Sequence, residues 1–110
     1  MRIEEYLTRE GKSPFESWFL KLDARAAAKV TTALARLAGG NTSNVKPVGA
    51  GVSEYKIDFG PGYRIYFGWD GKTLVILLTG GTKKRQQNDI ERAKELWQEY
   101  KQRKKEQNGG

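Results

Sequence analysis

The sequence predicts an α+β domain in which two N-terminal helices pack on one face of a small, mainly antiparallel sheet and a C-terminal helix follows the last strand. Three observations support this prediction. Residues on either side of Gly60-Pro61-Gly62 alternate between apolar and polar side chains, which is typical of a β-hairpin. Residues 73–79 form an unbroken apolar run, which is typical of the central strand of a three-stranded meander. Residues 13–38 carry helix signals.

The first helix is indicated by Ser13-Pro14-Phe15-Glu16, which follows a short strand expected over residues 1–9. Serine suits the N-cap, proline suits the first helical position, and Glu16 completes a capping box. Apolar residues then recur at i, i+3, i+4 and i+7, which predicts a stripe that faces a core. This stripe consists of Phe15, Trp18, Phe19 and Leu22.

The second helix is expected to run from its N-cap, Asp23, through Ala38, because alanine-rich segments have high helix propensity. Glycine at Gly39 and Gly40 is expected to end it. Residues 39–51 are expected to form a loop, on the basis of their glycine, asparagine and serine content. The residues predicted to face the core are Ala27, Val30, Leu34 and Leu37.

A fold-back centred on Pro61 predicts the register of the hairpin: Phe59 opposite Tyr63, Asp58 opposite Arg64, Ile57 opposite Ile65 and Lys56 opposite Tyr66. One face of this hairpin is apolar and is expected to be buried, and it consists of Tyr55, Ile57, Phe59, Tyr63, Ile65 and Phe67. The other face is where functional residues are expected. It carries Glu54, Lys56, Asp58, Arg64 and Tyr66.

The last two elements are a strand and a helix. Asp70-Gly71 predicts a two-residue hairpin turn that leads into the apolar strand. Asn88 is expected to cap the last helix, with Glu91 as its capping-box partner. The apolar side of this helix is predicted to consist of Ile90, Ala93, Leu96, Trp97 and Tyr100. Residues 101–110 form a basic tail that is expected to fray.

Composition limits the chemistry available to this single domain of 110 residues, which has a net charge of +7 and contains neither cysteine nor histidine. Disulfides and thiolate metal sites are excluded, and any acid–base chemistry must use Lys, Arg, Tyr, Asp or Glu. No stretch approaches the ~20 apolar residues of a membrane span. A cytoplasmic location is expected, with nucleic acid or an acidic protein as the partner.

Five segments then suggest a family by their order and spacing: residues 15–18, 39–41, 51–57, 60–67 and 77–90. Together they resemble the RelE/ParE toxin superfamily, and most of all its HigB-like branch of addiction-module killer and phage Gp49-like proteins. The resemblance covers most of the chain and implies the same arrangement of helices and sheet. It also implies a toxin neutralised by a cognate antitoxin, helix-turn-helix or acidic, that is encoded in an adjacent gene.

For RelE-like and HigB-like proteins the resemblance implies ribosome-dependent cleavage of mRNA by transesterification through the 2′-OH, with neither metal nor cofactor. Arg64 matches the arginine of the family's Gly-Tyr-Arg segment, where RelE-like enzymes place a catalytic arginine, and a guanidinium can hold two phosphate oxygens. Lys56 resembles a basic strand residue that such enzymes use near the scissile phosphate. Lys83, Lys84 and Arg85 are candidate RNA-binding residues, with Lys84 a further catalytic candidate. Tyr66 is a candidate to stack on a base or donate a proton.

Each candidate also has a structural interpretation. Arg64 can form a cross-strand ion pair with Asp58, worth well under ~1 kcal/mol if exposed. Lys56 and the basic run can simply be solvated, and Tyr66 can pack in a core. Residues 86–89 offer no aromatic acid or base, so the groups that transfer protons are not identified.

Three functions from different classes are therefore open. The first is a ribosome-dependent mRNA endoribonuclease. The second is a ParE-like protein that inhibits DNA gyrase without cutting anything, since fold does not decide between these branches. The third is a basic nucleic-acid-binding domain without toxicity.

Overall fold

Five strands form one sheet in the computed structural model, which describes residues 1–109. The strands are β1 (Arg2–Glu5), β2 (Val45–Gly49), β3 (Val52–Ile57), β4 (Tyr63–Asp70) and β5 (Leu74–Thr82). Their spatial order is β1-β5-β4-β3-β2. β1 pairs parallel with β5, and the other neighbours pair antiparallel. The predicted α+β class with a mainly antiparallel sheet is confirmed.

Three α-helices accompany the sheet within the described residues: α1 (Pro14–Phe19), α2 (Ala24–Ala38) and α3 (Gln86–Gly109). A 3₁₀ turn, Lys83–Arg85, joins β5 to α3. Both predicted N-caps of the first two helices are confirmed, because the side chain of Ser13 accepts from the Glu16 amide at 3.0 Å and that of Asp23 accepts from the Ala26 amide at 2.9 Å.

The buried stripe of α2 differs from the predicted one at two positions. Val30 and Leu37 are buried as predicted, but Ala26 and Ala33 are buried in place of Ala27 and Leu34, which are half-buried. Small side chains on the inner face allow a helix backbone to lie close to a sheet, so the helix is turned by about one residue from the predicted orientation.

The first face of the sheet packs against α1 and α2. Tyr55, Ile57, Ile65 and Phe67 are buried there, as the alternating pattern predicts, together with Phe15 of α1. Phe59, Tyr63, Trp18 and Leu34 are only partly buried at the edges of the same cluster. This face therefore forms an apolar core of the predicted kind.

The second face of the sheet packs against α3 and forms another core. The residues buried in it include Val52, Tyr66, Ile76 and Leu78 from the sheet and Ile90, Ala93, Leu96 and Trp97 from α3. At Gly68 the indole of Trp97 lies so close that an added Cβ would be 2.5 Å from the ring. The face that the sequence predicts to be open and polar is thus largely covered.

The hairpin register differs from the predicted one by two residues. Ile57 pairs with Tyr63, so the connection comprises residues 58–62 rather than three residues alone. Gly60 and Gly62 both have positive φ, at 54° and 79°, which lets the chain turn over a wider loop. A shift of two residues keeps every side chain on its predicted face. The predicted pairs that are wrong are Phe59–Tyr63, Asp58–Arg64, Ile57–Ile65 and Lys56–Tyr66.

The shift changes the neighbours of two charged side chains. Lys56 is the strand partner of Arg64, and the exposed Asp58 lies 3.6 Å from the Lys56 ammonium. The predicted ion pair between Asp58 and Arg64 is therefore wrong. Phe59 and Tyr63 are not strand partners, although their rings stack with centroids 6.5 Å apart.

Two connections and the position of β5 in the sheet also differ from prediction. Residues 45–49, expected in a loop, form the edge strand β2, where Pro47 is tolerated because an edge strand has one unpaired side. The turn after Asp70 contains three residues, since Asp70 pairs with Leu74. β5 is an interior strand, but because strands are added at both edges the middle strand of the sheet is β4.

The C-terminal helix is longer than predicted at both ends. It begins at Gln86, two residues before the predicted cap Asn88, and it continues through Gly109. The expected frayed tail is thus helical over residues 101–109, and Gly110 lies outside the described residues. Within the described part of the chain, no helix has both the length and the apolar character needed to cross a membrane.

Candidate functional site

Arg64 lies on the middle strand, with Lys56 of β3 as its partner on one side and Gly81 of β5 on the other. Only 5% of the residue is exposed. Its Nη1 donates to the Gly62 carbonyl at 3.0 Å, and its Nε lies 3.9 Å from the Oε1 of Glu54. Arg64 is therefore a buried cation whose partners are a turn carbonyl and a carboxylate.

Glu54 is fully buried, with 0% of its surface exposed. Its Oε2 accepts a 2.8 Å hydrogen bond from the Nε2 of Gln86 in the first turn of α3. Its Oε1 lies 3.9 Å from both the Arg64 Nε and the ammonium of the exposed Lys46. Sequence reasoning placed Glu54 on the right face but gave it no role, because nothing in the alternation shows that α3 closes over it.

Tyr66 pairs with Glu54 across the strands and is also fully buried. Its hydroxyl has no hydrogen-bond partner among the described residues. Burial, followed by the nearby Glu54 carboxylate, raises the pKa of the Tyr66 hydroxyl well above its usual value. The ring is closed off from a base in this conformation, and its role in proton transfer stays a prediction.

Asp89 reaches the same cluster from the first turns of α3. A β-bulge between the pairs Tyr66–Thr79 and Phe67–Leu77 turns Gly81 toward α3. An added Cβ at Gly81 would lie 1.8 Å from the Oδ2 of Asp89, so only glycine leaves room for this carboxylate. Burial raises the pKa of Asp89, with Arg85 opposing the shift, and its Oδ2 has no partner among the described residues.

The predicted basic run lies at the open side of this cluster. Lys83, Lys84 and Arg85 are exposed and form the 3₁₀ turn. The Lys83 amide donates to the Gly62 carbonyl at 2.8 Å, and this is the same carbonyl that accepts from Arg64. The hairpin loop thus ties the basic turn to the buried arginine.

Lys56 is the last member of a group of cations, called the positive edge here, that consists of Arg64, Lys56 and the basic turn Lys83–Arg85. Its side chain is 51% exposed, and it sits beside Arg64 in the strand pairing. A shallow groove next to it is lined by Asp58, Phe59, Gly60, Pro61, Gly62 and Lys83. The structure therefore brings Arg64, Lys56 and the basic turn to one edge, whereas it withdraws Tyr66 into the core.

This arrangement suits an anionic ligand at the edge better than a metal ion. Exposed ammonium groups and a guanidinium attract phosphate oxygens. Within residues 1–109 no three side chains of His, Cys, Asp or Glu gather as metal ligands. The edge can bind a phosphodiester, and its cations can stabilise charge that develops on phosphorus during a reaction.

Two comparisons with known proteins each found a match. A family model described as "Phage derived protein Gp49-like (DUF891)" matches residues 17–98. The chain is also 46% identical, over 86 residues, to an uncharacterized protein of Haemophilus influenzae, a match that covers 77% of this chain and 87% of that protein. The matched residues include Glu54, Arg64, the basic turn and Asp89.

Proposed function

The chain belongs to the phage-derived Gp49-like family, and from this membership we propose that it is the toxin of a type II toxin–antitoxin pair that cleaves mRNA on the ribosome. The observation that carries the proposal is the positive edge, where Arg64 and the basic turn share the Gly62 carbonyl and Lys56 lies alongside. The resemblance to HigB-like toxins favours RNA cleavage over gyrase inhibition.

The proposed reaction is a transesterification within the RNA. The 2′-OH loses its proton and attacks the adjacent phosphorus, and the bond to the 5′-oxygen breaks as that oxygen takes up a proton. The products are a 2′,3′-cyclic phosphate and a free 5′-OH. The chain's contribution is to hold the phosphate and to offset the negative charge of the pentavalent transition state.

Arg64 is the proposed charge-stabilising residue. Its guanidinium is preorganised because the Gly62 carbonyl holds one terminal nitrogen, and preorganised donors lose little free energy to reorientation during the reaction. The ribosome would supply much of the RNA's orientation in this scheme. Lys56 and Lys84, which are both exposed, are the further proposed catalytic residues.

RNA binding is proposed for Lys83, Lys84 and Arg85. Each cation placed near a phosphate releases condensed counterions, so binding should weaken as salt rises. The net charge of +7 also fits the proposed control by an acidic or helix-turn-helix antitoxin in the cytoplasm. The proposed reaction uses no cofactor.

The test is induction of the chain in growing bacteria, followed by mapping of RNA ends in translated and untranslated messages. We expect growth arrest and new 5′-OH ends confined to translated mRNA. Arrest with intact mRNA and a loss of gyrase supercoiling would favour the ParE-like alternative. Growth without arrest would contradict the toxin proposal as a whole.

A further inference from the structure

We infer that Glu54 is a positioning residue, whose buried carboxylate orients the Arg64 guanidinium and ties it to the first turn of α3. The inference deepens the proposed function and rests on it for the catalytic consequence. Its structural part concerns the two side chains alone and can be tested without any activity. A purely structural Glu54 would instead serve only to hold α3 on the sheet.

The carboxylate lies where an ionised group needs partners. Glu54 has no exposed surface, and desolvation of a carboxylate is costly unless positive charge and hydrogen bonds compensate it. Gln86 supplies the hydrogen bond, at 2.8 Å to Oε2. Arg64 and Lys46 supply the positive charge, each with a nitrogen 3.9 Å from Oε1.

The guanidinium is in turn held from two sides. Nη1 donates to the Gly62 carbonyl at 3.0 Å, and Nε faces the Glu54 Oε1 at 3.9 Å, longer than a hydrogen bond but within ion-pair range. Because the guanidinium is planar and rigid, the hydrogen bond at Nη1 and the carboxylate charge facing Nε together limit the direction of Nη2. Nε itself has no hydrogen-bond partner among the described residues, and Nη2 is the nitrogen proposed to bind a substrate phosphate.

The two oxygens of Glu54 have separable tasks. Oε2 holds α3 through Gln86, whereas Oε1 carries the charge that faces Arg64. Glu54→Gln keeps the shape and an oxygen that can accept from Gln86, but it removes the negative charge. Gln86→Ala does the opposite, because it removes the link to α3 and leaves the charge beside Arg64.

The experiment uses the full chain and has two measurements. The first is the steady-state cleavage of mRNA on programmed ribosomes, from which kcat and KM are obtained separately. We expect Glu54→Gln to lower kcat by about 10–100-fold, the range seen when an orienting partner is removed elsewhere, with KM within about threefold. Gln86→Ala should retain most of kcat. Glu95→Gln, the same chemical change at a 67% exposed side chain that pairs with Arg92, is the matched control and should match the wild-type chain.

The second measurement is the NMR signal of the Arg64 Nε–H. Because the Arg64 Nε–H is protected from solvent and lies next to a carboxylate, it should give a distinct, slowly exchanging resonance. Glu54→Gln should move this resonance and speed its exchange, and Glu95→Gln should not. If Glu54→Gln does not fold, Glu54→Asp replaces it, because the shorter side chain withdraws the charge from Nε and should produce the same two changes.

The outcomes separate the inference from the proposed function. An unchanged Nε–H resonance together with an unchanged kcat overturns the positioning role. A lower kcat in Gln86→Ala that equals the loss in Glu54→Gln also overturns it, because the effect would then come from the attachment of α3. If the wild-type chain cleaves no RNA, the proposed function fails, and the resonance still decides whether Glu54 orients Arg64.

Discussion

The two faces of the sheet are built by different rules. The face under α1 and α2 is filled by apolar and aromatic side chains such as Leu37, Ile65 and Phe67, all fully buried. The face under α3 is apolar only along part of its length, because Glu54 and Arg64 are also buried there. These two are the buried charged side chains of the described residues.

The difference between the two faces separates residues that stabilise the fold from residues that are candidates for function. A fully apolar interface gains free energy from every buried methylene, whereas a buried ion pair gives little net stability compared with an apolar substitute. The charges beneath the start of α3 are thus poor choices for stability alone. Their position beside the basic turn supports the proposed role in binding or catalysis instead.

Removal of Arg64 should have the largest effect, because Arg64 is the buried cation at the centre of the charged face. Arg64→Ala is expected to abolish toxicity, with cleavage reduced by about 10²–10³-fold, and to destabilise the chain by about 3–5 kcal/mol, since the buried Glu54 is left with only the exposed Lys46 ammonium as a cation. The measurements are mRNA end mapping and urea unfolding.

Arg64→Lys separates the two effects of that change, because it keeps the positive charge but loses the planar fork. It should recover part of the stability and little of the activity. Arg92→Ala, at a half-exposed side chain that pairs with Glu95, is the control and should leave both properties near wild type. Full toxicity of Arg64→Ala would show that the catalytic role lies elsewhere, with Lys84 as the next candidate.

A cavity in the apolar face should affect stability and nothing else. Leu37 is fully buried against the sheet, so Leu37→Ala is expected to cost about 2–5 kcal/mol. The kcat of the folded fraction should be unchanged at a temperature well below its melting point. Leu20→Ala, at a side chain that is 71% exposed, provides the comparison and should change the unfolding free energy little.

A methyl group at Gly81 should disturb the contact between β5 and the start of α3. The added Cβ would lie 1.8 Å from the Asp89 carboxylate, so the first turn of α3 must shift, at a cost of about 1–3 kcal/mol. Most of the kcat should be retained, as in Gln86→Ala, because the Glu54 charge stays beside Arg64. Gly39→Ala meets only ordinary contacts of 3.5 Å and should be nearly neutral; an equal loss in both variants would argue against the steric explanation.

The smallest expected effect is a pH dependence from Asp89. Burial raises its pKa above the ordinary value of 3.8, so the folded chain holds this proton more tightly than the unfolded chain does. The stabilising contribution of this group to the free energy of unfolding is fully present below pH 3.8, and it is lost as the pH rises through the raised pKa. The melting temperature of Asp89→Asn should therefore rise relative to that of the wild type as the pH increases across this window. A constant difference between the two would rule out Asp89 as the titrating group.

The apolar face was predictable from the sequence because alternation and helix caps are local signals. Ser13 and Asp23 cap their helices through neighbours three residues away, and Ile57 and Ile65 follow the period of a strand. Even a register shifted by two residues leaves their faces unchanged, which is why an error at Pro61 did not damage the fold prediction.

The charged face was not predictable in the same way. Its polar residues alternate correctly, but their burial depends on α3, which lies 32 positions along the chain from Glu54 at the Gln86 contact. The bulge that brings Gly81 under Asp89 also has no local signal. The identity of Arg64 as a candidate came from resemblance, whereas its carboxylate partner could be found only from the three-dimensional contacts.

The pairing of β1 with β5 affects when the sheet can be completed as the chain is synthesised on the ribosome, which is also its proposed site of action. Arg2 pairs with Leu74 and Glu5 with Leu77, so the first strand waits for the last before it can join the sheet. The buried arginine is enclosed still later, once Gln86 has been synthesised. Sites that need sequence-distant contacts form late, because loop closure must precede them. The candidate site is therefore expected to form only after the start of α3 has been synthesised, later than the hairpin that carries Arg64.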